Sequence, residues 1–207
     1  MKICITGASG SLGSFFPDQV QSLETRLESP IEDMVAELQR ERIKPNVLIH
    51  SSALVPVPFC NNNPKLAYEL NVNGTERWFR AAHRISIPKF VFISTSHIFE
   101  PTLRPIQLAP NHAPNPISVY GKTKLDAELC LRQLSHQFPE TKIIVCRVFS
   151  LLSKIPRPGF LFTEINRRAR ERDFSPIPGL RNTRDFIFAD TACERIISIA
   201  GAASTYL

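Results

Sequence analysis

A chain of 207 residues with 43% hydrophobic composition can bury one sizeable core, with at most a fragment of a second domain. No apolar run reaches the ~20 residues of a membrane span, and Met1-Lys2-Ile3-Cys4-Ile5 lacks a secretory pattern, so a cytoplasmic protein is expected. The net charge of +6 owes much to Arg157, Arg167, Arg168, Arg170, Arg172, Arg181 and Arg184, yet no nucleic-acid motif accompanies them, and a small phosphorylated molecule or a solvated helix face is the expected partner.

Lys2 to Thr6 reads as a short strand and runs straight into Gly7-Ala-Ser-Gly10-Ser-Leu-Gly13. Apolar residues at 31, 34, 35 and 38 predict a helix over Ile31 to Ile43. Pro45-Asn46 punctuates, and Val47 to His50 reads as a buried strand ending in a structural histidine. Three prolines and three asparagines make Leu54 to Pro64 a loop. Leu66 to Ile85 is a long helix, Phe90 to Ile93 a strand, and Leu103 to Pro116 a proline-rich loop. Ser118 to Phe138 is helix, Lys142 to Phe149 strand, Leu161 to Arg172 helix and Thr191 to Ala200 helix. Strands alternating with helices predict βαβ units, hence an α/β fold with a parallel sheet covered on both faces. Five scattered cysteines (Cys4, Cys60, Cys130, Cys146 and Cys193) suggest reduced thiols and neither a disulfide framework nor a zinc site.

Within Ser118-Val-Tyr-Gly-Lys-Thr-Lys124, Tyr120 and Lys124 stand four residues apart, on one helix face. An ammonium beside a phenol favours phenolate, drawing a tyrosine below its ordinary pKa of ~10. The same spacing also fits an exposed helix pair. The glycine run, between a strand and an expected helix, suits a backbone that approaches a dinucleotide pyrophosphate, or a turn that needs glycine only for its geometry.

Five motifs occur in order: Thr6-Gly-Ala-Ser-Gly-Ser-Leu-Gly13, His50-Ser-Ser-Ala53, Asn71-Val-Asn-Gly-Thr75, Phe92-Ile-Ser-Thr-Ser96 and Tyr120-Gly-Lys-Thr-Lys124. Together they resemble the extended short-chain dehydrogenase/reductases, the NAD-dependent epimerase/dehydratase family that acts largely on nucleotide sugars. The resemblance implies a Rossmann-like dinucleotide-binding domain over residues 1–150 and a partial substrate-binding lobe over 151–207. It implies NAD or NADP as cofactor, held by Gly7, Gly10, Ser11, Leu12, Gly13, Ser51, Ser52, Ala53, Leu54, Asn71, Tyr120, Lys124 and Phe149. Thr95, Tyr120 and Lys124 would be catalytic, and Thr95, Ser96 and Arg184 would meet a nucleotide-sugar substrate. A homodimer formed through Leu66–Ile85 and Ser118–Phe138 is a further implication. The expected function is an NAD(P)-dependent epimerase or reductase. The alternative is a non-catalytic nucleotide-binding or regulatory module with an incomplete cofactor site. Phe149 as plain core, Thr95 as a strand-end cap and Arg184 as a partner of Asp185 stay open.

Three departures qualify the resemblance. Ser96-His97 stands where the family's sugar dehydratases place Asp-Glu, which disfavours dehydration, and Ser150 replaces an asparagine many members turn toward substrate. Ser14 to Asn46 must hold what is normally a helix, two strands and another helix. Pro17 to Pro30 shows no strand, and Asp18, Glu24 and Arg26 lie out of context for reading the adenosine ribose, so NAD and NADP are not distinguished. Ser204-Thr-Tyr-Leu207 resembles only the beginning of a family strand.

Overall fold

The computed structural model describes residues 1–40, 44–102, 105–153, 161–177 and 184–202. Its elements in chain order are β1 (Ile3–Thr6), β2 (Gln21–Leu23), α1 (Ile31–Gln39), β3 (Val47–His50), α2 (Val57–Asn62), α3 (Pro64–Tyr68), α4 (Gly74–Arg84), β4 (Lys89–Thr95), α5 (Val119–Gln137), β5 (Lys142–Val148), β6 (Ser150–Leu152), α6 (Leu161–Glu171), β7 (Phe186–Phe188) and α7 (Ala189–Gly201). Ile43, Leu103, Arg157, Arg181, Thr183 and the run Ser204–Leu207, which carried sequence expectations, lie outside the described residues.

β1 and β3 are buried at every position. A strand covered on both faces shows no polar alternation, which is why Val47-Leu48-Ile49 reads as an unbroken apolar run. Burying each such side chain contributes roughly 1.5–3 kcal/mol. The central sheet is parallel throughout, in the order β2-β1-β3-β4-β5. α1, α4 and α5 cover one face, packing Met34, Leu38, Trp78, Phe79 and Leu131 against Phe90 and Phe92. α7 covers the other, where Ala192, Cys193 and Ile196 meet Ile5, Ile49, Val91 and Ile144. Lys89, at the start of β4, ties α7 to the sheet by donating to the carbonyls of Ala200 (2.8 Å) and Ala202 (2.7 Å), groups a helix C-terminus leaves unpaired. β6 and β7 pair in parallel as a separate two-stranded sheet.

The strand order reverses between β1 and β3. In open α/β sheets the crevice beyond the strands' carboxyl ends at such a reversal is where ligands bind. Thr6 lies opposite His50, His50 opposite Phe92, and Thr95 opposite Val148, so these strand ends share one rim.

The structure corrects four expectations. Gln21–Leu23 is a strand inside the Pro17–Pro30 stretch. It is an edge strand in which only Leu23 is buried, so it needs little apolar patterning, and β1 supplies its register. The loop expected over Leu54–Pro64 contains α2, because its prolines sit at helix starts: Pro56 is the N-cap of α2, Pro58 lies in its first turn, and Pro64 opens α3. A proline there has no amide bond to lose. The glycine run enters only a single 3-10 turn, Gly13–Phe15. Pro17 disfavours helical backbone at the residue before it, and Phe16 is extended (φ −69°, ψ 142°). The long helix expected from Leu66 is α3 and α4 joined through a π-helical turn, Glu69–Asn73.

Candidate active site

On one side of the crevice the glycine turn leaves β1. Gly7 takes φ +73°, and a side chain there would meet the Ser52 amide nitrogen at 2.8 Å. At Gly13 a Cβ would come within 2.0 Å of the Gly7 carbonyl oxygen. The turn closes through Gly10 N–H donating to the Gly7 carbonyl at 2.9 Å. Gly7, Gly10 and Ser11 are partly open at the rim, whereas Leu12 turns into the α7-side core. Ser51, Ser52, Ala53 and Leu54 leave the end of β3 beside this turn, all half-buried.

Asn71, inside the π turn, is buried, and its side chain is fully engaged. Its Oδ1 accepts from the Leu54 amide at 2.7 Å, and its Nδ2 donates to the Leu54 carbonyl and to Thr123 Oγ1, each at 3.0 Å. The asparagine expected at the nicotinamide therefore acts as a strut between the β3 loop and α5. π turns of this kind often mark functional positions.

On the far side, Ser118 caps α5 by accepting from the Gly121 amide, which starts the helix at the right point to turn Tyr120 and Lys124 inward. The Thr95 hydroxyl is close enough to the Tyr120 phenol to act on its protonation, and Thr95 Oγ1 accepts from the His97 amide at 3.2 Å. The structure thus brings Thr95, Tyr120 and Lys124 to one place. Burial holds the Tyr120 phenol up at about 12, against the lowering that the Thr95 hydrogen bond exerts. The expected depression by Lys124 does not occur: its ammonium lies over the Phe92 ring, 3.9 Å from the centroid, and is not among the groups acting on the phenol. Burial pushes Lys124 itself down to about 7, opposed by the Glu128 carboxylate. Desolvation outweighs pairing at both groups.

Ser96 begins a 3-10 turn after Thr95, and the His97 ring stands edge-on to Tyr120 at 5.6 Å. Burial, and after it the charge of Arg184 two residues before β7, hold His97 below its ordinary value. Phe149 lies half-buried just beyond β5, one residue past Val148, the register partner of Thr95. His50 is a satisfied, fully buried histidine. Among the described residues, no group of three or more His, Cys, Asp or Glu is placed to hold a metal ion, and no helix is long and apolar enough to cross a membrane.

Sequence reasoning missed three features. Glu24 follows β2 directly, at the place where Rossmann folds read the adenosine ribose; the signal was hidden because β2 itself was not legible. Ser94, Glu128 and Arg147 form a network behind α5, visible in sequence only as Glu128 one turn beyond Lys124. Cys60, fully buried, packs against Tyr120 with Ala67.

Residues 3–205 match the sequence description of the NAD dependent epimerase/dehydratase family. The chain belongs to that family. A curated relative, GDP-6-deoxy-D-talose 4-dehydrogenase of Aggregatibacter actinomycetemcomitans, is 26% identical over 95% of this chain and 69% of its own. The chain superposes on UDP-glucose 4-epimerase of Thermotoga maritima, solved with UDP-glucose, with a TM-score of 0.83 at 19% identity, covering 95% of this chain and 72% of that one. For the Thermus thermophilus UDP-glucose 4-epimerase complex with NAD the TM-score is 0.82 at 19% identity, with 98% and 75% covered. This epimerase/dehydratase-family chain spans only 41% and 50% of the lengths of two other curated relatives.

Proposed function

We propose that the protein is an NAD(P)-dependent epimerase or reductase acting on the hydroxyl or carbonyl carbon of a nucleotide sugar. The observation that carries this reading is the juxtaposition at the rim where the strand order reverses: Thr95 ends β4, its side chain acts on the buried Tyr120 phenol, and Lys124 lies one helical turn away.

The residues fit a dinucleotide. The glycine turn has no room for side chains at Gly7 and Gly13, and Gly7, Gly10 and Ser11 are partly open at the crevice. Gly7, Gly10, Ser11 and Gly13 would meet the pyrophosphate, Ser51 to Leu54 the middle of the cofactor, and Lys124 the nicotinamide ribose. Glu24 after β2 would accept from a ribose 2′-hydroxyl, which favours NAD over NADP. When bound, the nicotinamide supplies a hydride acceptor or donor. For the chain's own residues, Thr95 orients the substrate oxygen and Tyr120 takes or returns its proton. General acid–base help of this kind contributes typically ~10²–10⁴ in rate. Ser96 and Arg184 would meet the substrate; a guanidinium suits its phosphate.

One observation favours the second reading, a nucleotide-binding or regulatory module without turnover. A one-turn 3-10 segment replaces the helix whose N-terminal amides and dipole usually receive the pyrophosphate. Titration with NADH and NADPH, read by nicotinamide fluorescence, separates the readings from a chain that binds nothing. Saturable binding with turnover of a nucleotide sugar is expected. Binding without turnover across a panel of nucleotide sugars would leave the second reading, and no saturable binding would sink both.

A further inference from the structure

A chain of hydrogen bonds runs through the buried layer beneath the site, and each bond in it has only one possible direction. Thr75 Oγ1 donates to the Asn71 carbonyl at 2.7 Å, so its proton is committed. His50 Nε2, 3.1 Å from the same Thr75 oxygen, must therefore carry the hydrogen of that contact. A neutral imidazole protonated at Nε2 presents a bare Nδ1, and Thr6 Oγ1, 2.9 Å away, must donate to it. Thr6 Oγ1 in turn accepts from the Ser52 amide at 3.2 Å. The direction is Ser52 N–H to Thr6 to His50 to Thr75 to the Asn71 carbonyl. The Asn71 side chain carries the connection on, donating to Thr123 Oγ1, which donates to the Tyr120 carbonyl at 2.9 Å.

The surroundings hold this arrangement in place. His50 is fully buried, with its ring between those of Phe90 (5.7 Å) and Phe92 (6.1 Å) and 6.5 Å from that of Trp78. Thr6 and Thr75 are also buried. Burial this complete means that removing one partner leaves the other an unpaired buried group. Burial and the Lys124 charge hold His50 down at about 3, which keeps the ring neutral.

We propose that His50 is the positioning residue of this site. Fixed as its Nε2–H tautomer, it sets the distance between the glycine turn, the Ser51–Leu54 loop and the helix that carries Tyr120. Thr6 immediately precedes Gly7, Ser52 packs on Gly7, and Thr123 lies between Tyr120 and Lys124, so the chain touches each part of the site without facing ligand. Its effect on cofactor rests on the function proposed above; its existence does not.

The test uses the full chain and two readouts. Long-range ¹H–¹⁵N spectra at neutral pH should show His50 as one species, protonated at Nε2 and bare at Nδ1. The other tautomer, or a mixture, overturns the proposal. Because His50→Phe could fail to fold, the variants are Thr75→Val, which keeps shape and strands the Nε2–H, and Thr75→Ser, which restores the hydroxyl. Thr75→Val should move the Ser52 amide resonance and weaken NADH binding roughly five- to tenfold, as for one lost hydrogen bond, while Thr75→Ser stays within about twofold of the parent. Thr75→Val with a lowered melting temperature but unchanged NADH affinity would make the chain merely structural and overturn the proposal. If the parent protein binds no dinucleotide, the proposed function fails, and the Ser52 resonance still decides: moved by Thr75→Val it supports the chain, unmoved it refutes it.

Discussion

Glu128 on α5 and Arg147 on β5 are joined by three hydrogen bonds, the shortest 2.7 Å, although they belong to different layers of the fold. Ser94 donates to the same carboxylate at 2.5 Å, and Arg147 reaches on to the Pro110 carbonyl at 2.7 Å. The three residues therefore fix α5 against β4 and β5, and Arg147 anchors the loop around residue 110. Glu128 is only 8% exposed, so removing its partner leaves a buried, uncompensated charge. Arg147→Met should destabilise the fold by about 3 kcal/mol, whereas Arg147→Met with Glu128→Leu should recover most of it. Urea denaturation of both variants checks this; equal losses would contradict it.

Lys124 gives the stability a pH slope. Its folded value of about 7 lies below the ordinary lysine value, so between about pH 7 and pH 10 the unfolded chain binds more protons than the folded one. Stability from this group therefore rises with pH across that window, with a limiting slope of ~1.4 kcal/mol per pH unit. Lys124→Met should flatten the melting temperature against pH between 7 and 9 and raise it most at pH 7. A parallel, unflattened profile would show that the ammonium is not desolvated.

Tyr120→Phe removes the hydroxyl that meets Thr95 but keeps the ring against Cys60 and Ala67. Turnover should fall by ~10²–10⁴ with cofactor affinity within a fewfold of the parent. A kcat near that of the parent would remove Tyr120 from the proton transfer.

Glu24 is exposed at the end of β2, and its backbone amide is held by Glu37 Oε1 at 2.5 Å, so the backbone there has a fixed anchor. Glu24→Ala should weaken NADH binding roughly ten- to a hundredfold, as for one hydrogen bond to a charged group, while NADPH binding stays level or improves. Equal losses for both cofactors would mean that Glu24 does not read the ribose.

The sequence by itself determined the strands of the sheet interior, because a strand buried on both faces must be apolar throughout; Val47–Ile49 and Phe90–Ile93 announce themselves for that reason. It also determined the family, because five motifs keep their order along the chain, and the four-residue spacing that sets Tyr120 and Lys124 on one face of α5. Only the tertiary structure decided the rest. β2 depends on hydrogen bonds lent by β1, so it leaves little trace in its own residues, and Glu24 stayed hidden with it. The prolines of Pro56–Pro64 spell loop in isolation and helix starts once α2 and α3 dock on α5. Charge also had to wait for burial. Residue spacing places an ammonium near a phenol, but desolvation and the Phe92 ring set the actual values, lifting Tyr120 and lowering Lys124. The hydrogen-bond chain through His50 joins residues 6, 50, 52, 75 and 71, whose partnership exists only where β1, β3 and α4 meet.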